Sequence, residues 1–407
     1  MNKKIILGII FAVLIPSLII TVFLYSDPTL RFYFGTSIGL KEKPVLLDKN
    51  FVIDEMIVGI QASTALTIIE NNIIFLEKET GKIRLIQDDV LIEEPLWDFH
   101  VKLEGCQCYT ESGLLGITSI GSDVYIYVTE ELGDEESYVE NRIYKFVWKD
   151  NKLQNPLLLN ILPADATIHH GGAMVSDLDD NIFAVIGDQD FETALQNFDN
   201  DIISDSGVIL KVGIDDKVKV PSLSSSPNDH YYGVGIRNSF GLAVDPFTGF
   251  LWITENGTHE YDEINLTFPK YNSGWAKIQG PATQEEMENF VGYKDYIYSD
   301  PEFSWEDTVA LTGITFVDQK WKDYENNVFV GDCQGHIYRF QLNTMRDGFI
   351  FENPDLSDLV LNIEDSNDEI LFGKNFGCVT DVKYSSDGDL YVISYLNNGA
   401  IYKIKPK

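Results

Sequence analysis

Residues 235–275 read GIRNSFGLAVDPFTGFLWITENGTHEYDEINLTFPKYNSGW and contain the unit on which the fold is built. Within this stretch, TGFLWITENG and DEINLTF are two runs in which apolar residues alternate with others, joined by a short polar loop. Such alternation predicts paired β-strands, because successive side chains of a strand point to opposite faces. The polar residues at the ends of these runs indicate a functional site beside the sheet.

The same unit recurs along the chain, so that six copies are present in total. The others are NNIIFLEKETGKIRLI from Asn71, SDVYIYVTEE with NRIYKFVW from Ser122, DNIFAVIGDQD with SGVILKV from Asp180, NNVFVGDCQGHIYRFQL from Asn326, and DGDLYVISYLNNGAIYKI from Asp387. Each unit makes one sheet that cannot bury its own faces, and such sheets stack radially. The sequence therefore predicts an all-β fold, a six-bladed β-propeller over residues 46–407. A β-sandwich is the alternative, but its shorter strand spacing fits these long units poorly.

One stretch outside the repeat favours an α-helix. Thr283 stands in the N-cap position of residues 283–294, and Glu286 follows three residues later, which is the spacing of a capping box. We expect this helix to lie on the rim of the propeller. Insertions at 190–206 and 276–300 are expected as loops on the same rim.

The N-terminus has the pattern of a membrane anchor. Lys3 and Lys4 precede an uncharged apolar run, residues 5–25, which is long enough to cross a bilayer. No small-residue cleavage site is evident, which favours an uncleaved transmembrane signal anchor over residues 1–25 and a linker over residues 26–45. Because the lysines come first, the N-terminus is expected inside and the propeller on the extracytoplasmic side of the membrane.

Charge and cysteine content narrow the function classes. The formal net charge of −34 disfavours a nucleic-acid partner, because binding phosphates requires a cationic surface. The four cysteines, Cys106, Cys108, Cys333 and Cys378, fit an oxidising compartment. Three pairings are open to them, and their positions alone do not choose one. A zinc site is disfavoured, since paired Cys-x-x-Cys spacings are absent.

Three groups of residues could carry chemistry. His169 precedes paired glycines that would allow a ligand to approach the backbone, so its ring is a candidate general base. Arg237 and Asn238 offer a forked cation and an amide to an oxygen-rich ligand. The acidic loop 255–263 carries the oxygen ligands that calcium prefers. The alternatives are a structural histidine, an arginine paired with a carboxylate, and a solvated acidic loop.

Together these stretches resemble the glucose/sorbosone dehydrogenase family, the soluble quinoprotein aldose sugar dehydrogenases. The resemblance covers about residues 60–405 and rests on IRNSFGLAVDPFTGFLWITENG, followed by DEINL and NSGW. ETGKIRLI, ESGLLGI, IHHGGAMV, NNVFVGDCQGHIYRF and DVKYSSDGDLYVISY agree in the same order. It implies a six-bladed propeller that oxidises an aldose or related aldehyde with pyrroloquinoline quinone (PQQ) and Ca²⁺. The external electron acceptor is not specified.

The resemblance also implies roles for single positions. His169 would take the proton from the anomeric hydroxyl of the sugar, and Arg237 would polarise the reactive carbonyl of the quinone. The other implied positions are Glu111 and Asn238 for the cofactor, the carbonyls of Gly257 and Thr258 for one calcium ion, and Glu263 with the Ser273 carbonyl for a second.

The chain departs from the family where the carboxylates of the quinone are bound. Basic residues of the last two blades neutralise them in family members, and the matching positions here are Cys333, Gln334, Cys378 and Thr380. Candidate substitutes are Lys374, Lys383 and Arg339, and Ala173 stands where many relatives have an arginine. A disulfide between Cys333 and Cys378 would occupy the place of those carboxylates.

These departures leave two other functions open. One is a non-catalytic, calcium-stabilised propeller that binds carbohydrate or protein at the cell surface. The other is a calcium-dependent lactonase or esterase, which rests on analogy of fold alone.

Overall fold

The computed structural model describes residues 43–60, 62–101, 111–133, 138–164, 166–189, 197, 205–213, 230–395 and 399–407. The predicted anchor over residues 1–25 lies outside this part of the chain, as do Cys106 and Cys108. None of the helices in the described ranges has the length and apolar character needed to span a bilayer. Residues from Pro44 to Lys407 form one compact unit.

The described residues are almost entirely β-strand, turn and loop. The first strands are β1 (Val45–Leu46), β2 (Phe51–Val58), β3 (Ser63–Ile69), β4 (Asn72–Glu77), β5 (Lys82–Gln87), β6 (Val90–Leu91), β7 (Trp97–Asp98), β8 (Leu114–Ile120), β9 (Asp123–Leu132), β10 (Tyr138–Lys149), β11 (Lys152–Leu162), β12 (Met174–Ser176), β13 (Ile182–Ile186), β14 (Val208–Lys211) and β15 (Tyr231–Val234). Those that follow are β16 (Gly241–Val244), β17 (Leu251–Glu255), β18 (Glu260–Thr267), β19 (Tyr271–Asn272), β20 (Ile297–Tyr298), β21 (Phe303–Asp307), β22 (Leu311–Phe316), β23 (Asn327–Asp332), β24 (Ile337–Gln341), β25 (Val360–Leu361), β26 (Leu371–Lys374), β27 (Val379–Tyr384), β28 (Leu390–Ser394) and β29 (Ala400–Pro406).

In the described part of the chain these strands form six sheets. Numbered by their first strands, sheet 1 is β3-β4-β5-β6 with β7 on β5, sheet 2 is β8-β9-β10-β11, sheet 3 is β12-β13-β14-β15-β19-β20, sheet 4 is β16-β17-β18-β21-β25, sheet 5 is β22-β23-β24-β26-β1, and sheet 6 is β27-β28-β29-β2. Each first strand packs against the first strand of the next sheet, and β27 packs against β3. The sheets therefore close into a ring, and the predicted all-β propeller is confirmed.

The two ends of the propeller unit meet in sheet 6. Strand β2, from the N-terminal part, pairs antiparallel with the C-terminal strand β29, with Ile53 opposite Ile404. The ladder of hydrogen bonds between them links the first and last parts of the ring, so no separate closing element is needed.

Four of the six second strands are buried on both faces. All residues of β4, β13, β17 and β23 are buried. The reason is that each sheet of a propeller is covered by a neighbour on either side, so polar as well as apolar side chains of the central strands leave water. Trp252 of β17, for example, is fully buried between sheets and packs 5.4 Å from the ring of Phe349.

The predicted helix is present but shorter. Helix α1 (Gln284–Asn289) has Thr283 as its N-cap, and both hydrogen bonds of the capping box with Glu286 are made. The helix ends before Phe290, whereas the sequence predicted that it continues to Lys294. Tyr293 is fully buried against Tyr296, and this packing draws the chain out of the helical path.

One edge of the ring collects the polar residues, and we call it the site rim. It consists of the segments just before the first strands and just after the second strands of the sheets. These segments share an edge because the first two strands of each unit are antiparallel neighbours. Glu111, His169, Arg237 and Asn238 precede first strands on this rim.

Candidate active site

His169 is held in a fixed orientation by a buried carboxylate. Its Nδ1 lies 2.5 Å from Oδ1 of Asp188, and both side chains are buried. The indole Nε1 of Trp275 donates to the other oxygen of Asp188 at 2.6 Å. Because the carboxylate accepts the Nδ1 proton, Nε2 of the neutral ring carries the lone pair. The His169 side chain therefore has the orientation and tautomer of a base.

The paired glycines after the histidines serve the packing of strands. A Cβ at Gly171 would lie 2.6 Å from the carbonyl oxygen of Val185, and one at Gly172 would lie 2.4 Å from Cβ of Leu115. Both glycines also have positive φ, 63° and 101°. The expectation that these glycines admit a ligand is therefore corrected: neighbouring strands make the close approach.

His170, next to the candidate base, has a structural role. Its Nε2 lies 3.0 Å from the carbonyl oxygen of Ala166 and its Nδ1 lies 3.1 Å from Nδ2 of Asn141. Burial lowers the pKa of His170 to about 4, so the ring is neutral and anchored by its partners.

Arg237 lies in the wall of the site at the entrance to β16. Its Nη1 donates to the carbonyl oxygen of Asn256 at 2.7 Å, and its backbone N–H donates to Oε1 of Glu255 at 2.7 Å. The guanidinium carbon is 5.5 Å from the centroid of the Trp275 ring. Burial lowers the pKa of Arg237, and the charges of Asp188 and Glu111 oppose that effect. The guanidinium remains charged, because the ordinary pKa of arginine is so high.

Glu111 joins the arginine segment to the histidine segment. Its Oε2 accepts the backbone N–H of His169 at 2.5 Å and the Nδ2 amide of Asn238 at 3.1 Å. The Oδ1 atom of Asn238 is buried and has no hydrogen-bond partner in the described protein. The structure thus brings together His169, Arg237, Asn238 and Glu111, the four residues that the sequence analysis had assigned to catalysis and cofactor binding.

A recess of about 220 Å³, including its mouth, opens beside Arg237. Its wall includes the carboxylates of Glu255 and Glu263, which are both buried, together with Gly257 and Ser273. Burial raises the pKa of both carboxyls, and the charge of Glu263 adds to the rise at Glu255. Two buried acids among oxygen donors are suited to a hard cation, which would remove the cost of burying their charge.

The recess contains three of the four residues predicted to bind metal. Thr258 is not among its lining residues, and its Oγ1 donates instead to Oε1 of Gln279 at 2.9 Å. No cluster of three or more His, Cys, Asp or Glu side chains that could hold a metal occurs within the described ranges. A cation in this recess would therefore need backbone carbonyl oxygens as well as the two carboxylates.

Asp262, in the same acidic loop, holds the loop in place. It accepts the backbone N–H groups of Gly257 at 2.9 Å, Val309 at 2.8 Å and Ala310 at 2.6 Å. Burial raises the pKa of Asp262 to about 6, while these hydrogen bonds favour its charged form. The loop is therefore fastened to the next sheet.

The predicted pairing of Cys333 with Cys378 is confirmed. Cys333, which follows β23, and Cys378, which precedes β27, form a disulfide on the site rim that links sheets 5 and 6. These two cysteines are thereby unavailable as zinc ligands. Gln334 is exposed, and Thr380 donates through Oγ1 to the carbonyl oxygen of Ser63 at 2.9 Å. These four positions therefore place no cation on the rim.

Of the three expected substitutes, two have other partners and the third is exposed. Lys374 is exposed at the end of the outer strand β26. Arg339 stacks 5.1 Å from the centroid of Tyr324, and Lys383 forms an ion pair with Asp381 at 3.9 Å. Ala173 packs in the apolar cluster around Phe183.

Two residues of the site were missed in the sequence. Asp188 is the second residue after the buried strand β13, and Asn256 and Cys333 directly follow the corresponding strands of later units; polar residues that recur at these strand ends were the available signal. Trp275 ends the NSGW motif, but nothing local indicates that its indole reaches a carboxylate 87 residues away.

Comparisons with known proteins identify the family and the fold. An aldose sugar dehydrogenase of Escherichia coli (YliI) is 23% identical over 251 residues, which is 59% of this chain and 60% of that protein. The structure of the PQQ-bound form of an aldose sugar dehydrogenase from Streptomyces coelicolor has a TM-score of 0.64 at 19% identity, covering 90% of this chain and 98% of that one. The apo-form of the soluble aldose sugar dehydrogenase from Escherichia coli has a TM-score of 0.67 at 19% identity, covering 88% and 100%. The family model described as Glucose / Sorbosone dehydrogenase matches residues 60–403, and the chain belongs to that family.

Proposed function

We propose that this protein is a quinoprotein dehydrogenase that oxidises aldose sugars or related aldehydes with PQQ. The observation that carries the proposal is the His169–Asp188 pair, which lies on the same rim as Arg237, Asn238 and Glu111. The names of its relatives support it, since one is an aldose sugar dehydrogenase and another was solved in a PQQ-bound form.

The donor set of the rim fits an ortho-quinone. Arg237 supplies a buried cation that suits a carbonyl oxygen of the ligand. Oδ1 of Asn238 is buried without a protein partner and can only accept, so it suits a ring N–H or a hydroxyl of the ligand or substrate. When bound, the quinone supplies the hydride-accepting chemistry.

The residues of this chain divide the remaining work. Asp188 holds the Nδ1 proton of His169, so Nε2 accepts the proton of the substrate hydroxyl. The same carboxylate then stabilises the imidazolium that forms, as in other His–Asp pairs. Arg237 is positioned to stabilise negative charge that develops on a ligand oxygen. Glu111 keeps the histidine and Asn238 segments in register through its hydrogen bonds to both.

We extend the proposal to calcium in the recess beside Arg237. Glu255 and Glu263 would supply the charge, and backbone carbonyls such as those of Gly257 and Ser273 would complete the oxygen ligands. Ser273 Oγ donates to Glu255 at 2.6 Å and keeps that carboxylate oriented. A cation here would balance two buried negative charges next to the proposed cofactor site.

We propose that the propeller lies outside the cytoplasmic membrane. The apolar run 5–25 after Lys3 and Lys4 supports an anchor. The Cys333–Cys378 disulfide supports an oxidising compartment. Protease accessibility of the C-terminus in intact cells, compared with lysed cells, tests this location, and a C-terminus protected in intact cells would contradict it.

A non-catalytic, calcium-stabilised propeller is the second candidate function. One observation favours it: Cys333 and Cys378, which form a disulfide, occupy positions where family members carry basic residues. The test is to titrate the calcium-loaded, full-length protein with PQQ and to follow dye reduction with a panel of aldoses. Dye reduction that falls about 10²–10⁴-fold in His169→Ala, with PQQ affinity retained, is the expected result. If the wild type neither binds PQQ nor reduces the dye, the result would favour the non-catalytic function.

A further inference from the structure

Two cationic side chains are buried among the described residues, and both lie on the site rim. They are Lys78, 7% exposed, and Arg237, 8% exposed. Burial lowers the pKa of both side chains, and nearby carboxylates oppose this effect: Glu79 and Glu111 at Lys78, and Asp188 and Glu111 at Arg237. Lys78 follows β4 of sheet 1 and Arg237 precedes β16 of sheet 4, so the two cations come from different sheets.

The side chain of Lys78 lies along the turn that carries Glu111. A Cβ at Gly113 would lie 2.9 Å from Cγ of Lys78, and the N–H of Leu114 donates to the Lys78 carbonyl oxygen at 3.2 Å. The Nζ atom lies 5.7 Å from the centroid of the Tyr395 ring. Lys78 thus lies between the Glu111 turn and Tyr395.

Tyr395 connects this lysine to the disulfide. The N–H of Tyr395 donates to the carbonyl oxygen of Cys378 at 2.8 Å, and its hydroxyl donates to Glu79 at 2.7 Å. The positive charge of Lys78 is therefore held on the side of the rim where the disulfide replaces the basic residues of other family members. Burying the ammonium group of a lysine costs free energy. An anion that binds beside this group offsets part of that cost, which increases the affinity of the site for the anion.

We infer that Lys78 is a cofactor-binding residue of this site and that it binds a carboxylate of PQQ in place of the missing basic residues. The inference rests on the proposed function. It deepens that proposal by naming the cation that the last two sheets do not provide. Sheet 1 contributes the charge, and Tyr395 keeps the lysine beside the disulfide.

The test measures ligand affinity. PQQ and its uncharged trimethyl ester are titrated into the full-length, calcium-loaded wild type and into Lys78→Met, Lys78→Arg and Lys82→Met. Lys82→Met is the matched control, because it removes the same charge from the same sheet at a position outside the site. Tryptophan fluorescence and isothermal titration report the dissociation constants without any turnover.

We expect Lys78→Met to weaken PQQ binding by about 10- to 100-fold, the factor of a lost charge-assisted hydrogen bond, with the affinity for the ester unchanged. Lys78→Arg should keep most of the PQQ affinity, because it keeps the charge. Lys82→Met should bind both ligands normally.

Two results would overturn the inference while leaving the proposed function in place. One is wild-type PQQ affinity in Lys78→Met, and the other is an equal loss of acid and ester binding, which indicates structural damage. If Lys78→Met does not fold, Lys78→Arg decides, and loss of PQQ affinity in that folded variant overturns the inference. A wild type that does not bind PQQ overturns both the proposed function and the inference.

Discussion

Replacing Asp188 by asparagine tests the proposed chemistry most directly. Asp188 is fully buried, and its two oxygens accept from His169 Nδ1 at 2.5 Å and from Trp275 Nε1 at 2.6 Å. An asparagine has one acceptor oxygen, so its NH₂ group must face either the imidazole or the indole. If it faces the imidazole, Nδ1 becomes the acceptor and the proton moves to Nε2, where it blocks the base.

The size of the effect follows from these contacts. Loss of one charge-assisted hydrogen bond to the imidazolium costs about 1.5–3 kcal/mol, or roughly 10- to 150-fold in kcat. The wrong tautomer extends the loss toward the ~10⁴-fold seen when a His–Asp pair is converted to His–Asn. We therefore expect kcat for dye reduction to fall about 10²–10⁴-fold in Asp188→Asn, with PQQ affinity within about 3-fold of the wild type.

A second His–Asp pair in this chain provides the control. His336 Nδ1 lies 2.8 Å from Oδ2 of the buried Asp332, so Asp332→Asn makes the same chemical change in a pair that does not include His169. Its kcat should stay close to that of the wild type. If Asp188→Asn turns over within about 5-fold of the wild type, or no more slowly than Asp332→Asn, the assignment of His169 as an oriented base is wrong.

Three further expectations concern stability and metal binding. Burial alone would lower the pKa of His336, but the hydrogen bond and charge of its partner carboxylate raise it above the ordinary value. The contribution of protonated His336 to the free energy of unfolding is thus fully present below pH 6.5 and is lost as pH rises through the raised pKa. His336→Gln should therefore lower the free energy of unfolding more at pH 5.5 than at pH 8.5. Converting Cys333 and Cys378, 45 residues apart, to serines should cost about 4 kcal/mol or less in urea unfolding, from loop entropy. Glu263→Gln should weaken Ca²⁺ binding in calorimetry at least about 10-fold, whereas the exposed Glu260→Gln should not.

Each of these has a clear contrary result. Equal destabilisation by His336→Gln at both pH values would mean that the histidine is not protonated preferentially in the folded state. A serine double variant as stable as the wild type would show that the disulfide constrains the unfolded chain very little. Unchanged Ca²⁺ affinity in Glu263→Gln would place the cation elsewhere.

Local features of this fold could be predicted because their causes lie within a few residues. Alternating runs such as Leu251–Glu255 indicate strands, and their recurrence indicates sheets that stack in a ring. Thr283 and Glu286 specify the start of α1, because both hydrogen bonds of the capping box are local. The end of that helix was missed, since it depends on the burial of Tyr293 and Tyr296 in an apolar cluster that also contains residues of sheets 2 and 3.

The sequence by itself determined which residue types reach the site: His169, Arg237, Asn238 and the acidic loop follow from motifs that remain contiguous in the chain. Only the tertiary structure decided the partners. Asp188 meets Trp275 across 87 residues, and Lys78 reaches the turn of Glu111 from another sheet. Ring closure places equivalent positions of successive sheets on one rim, so contacts between sheets depend on the whole fold, whereas periodicity and caps depend only on neighbours along the chain.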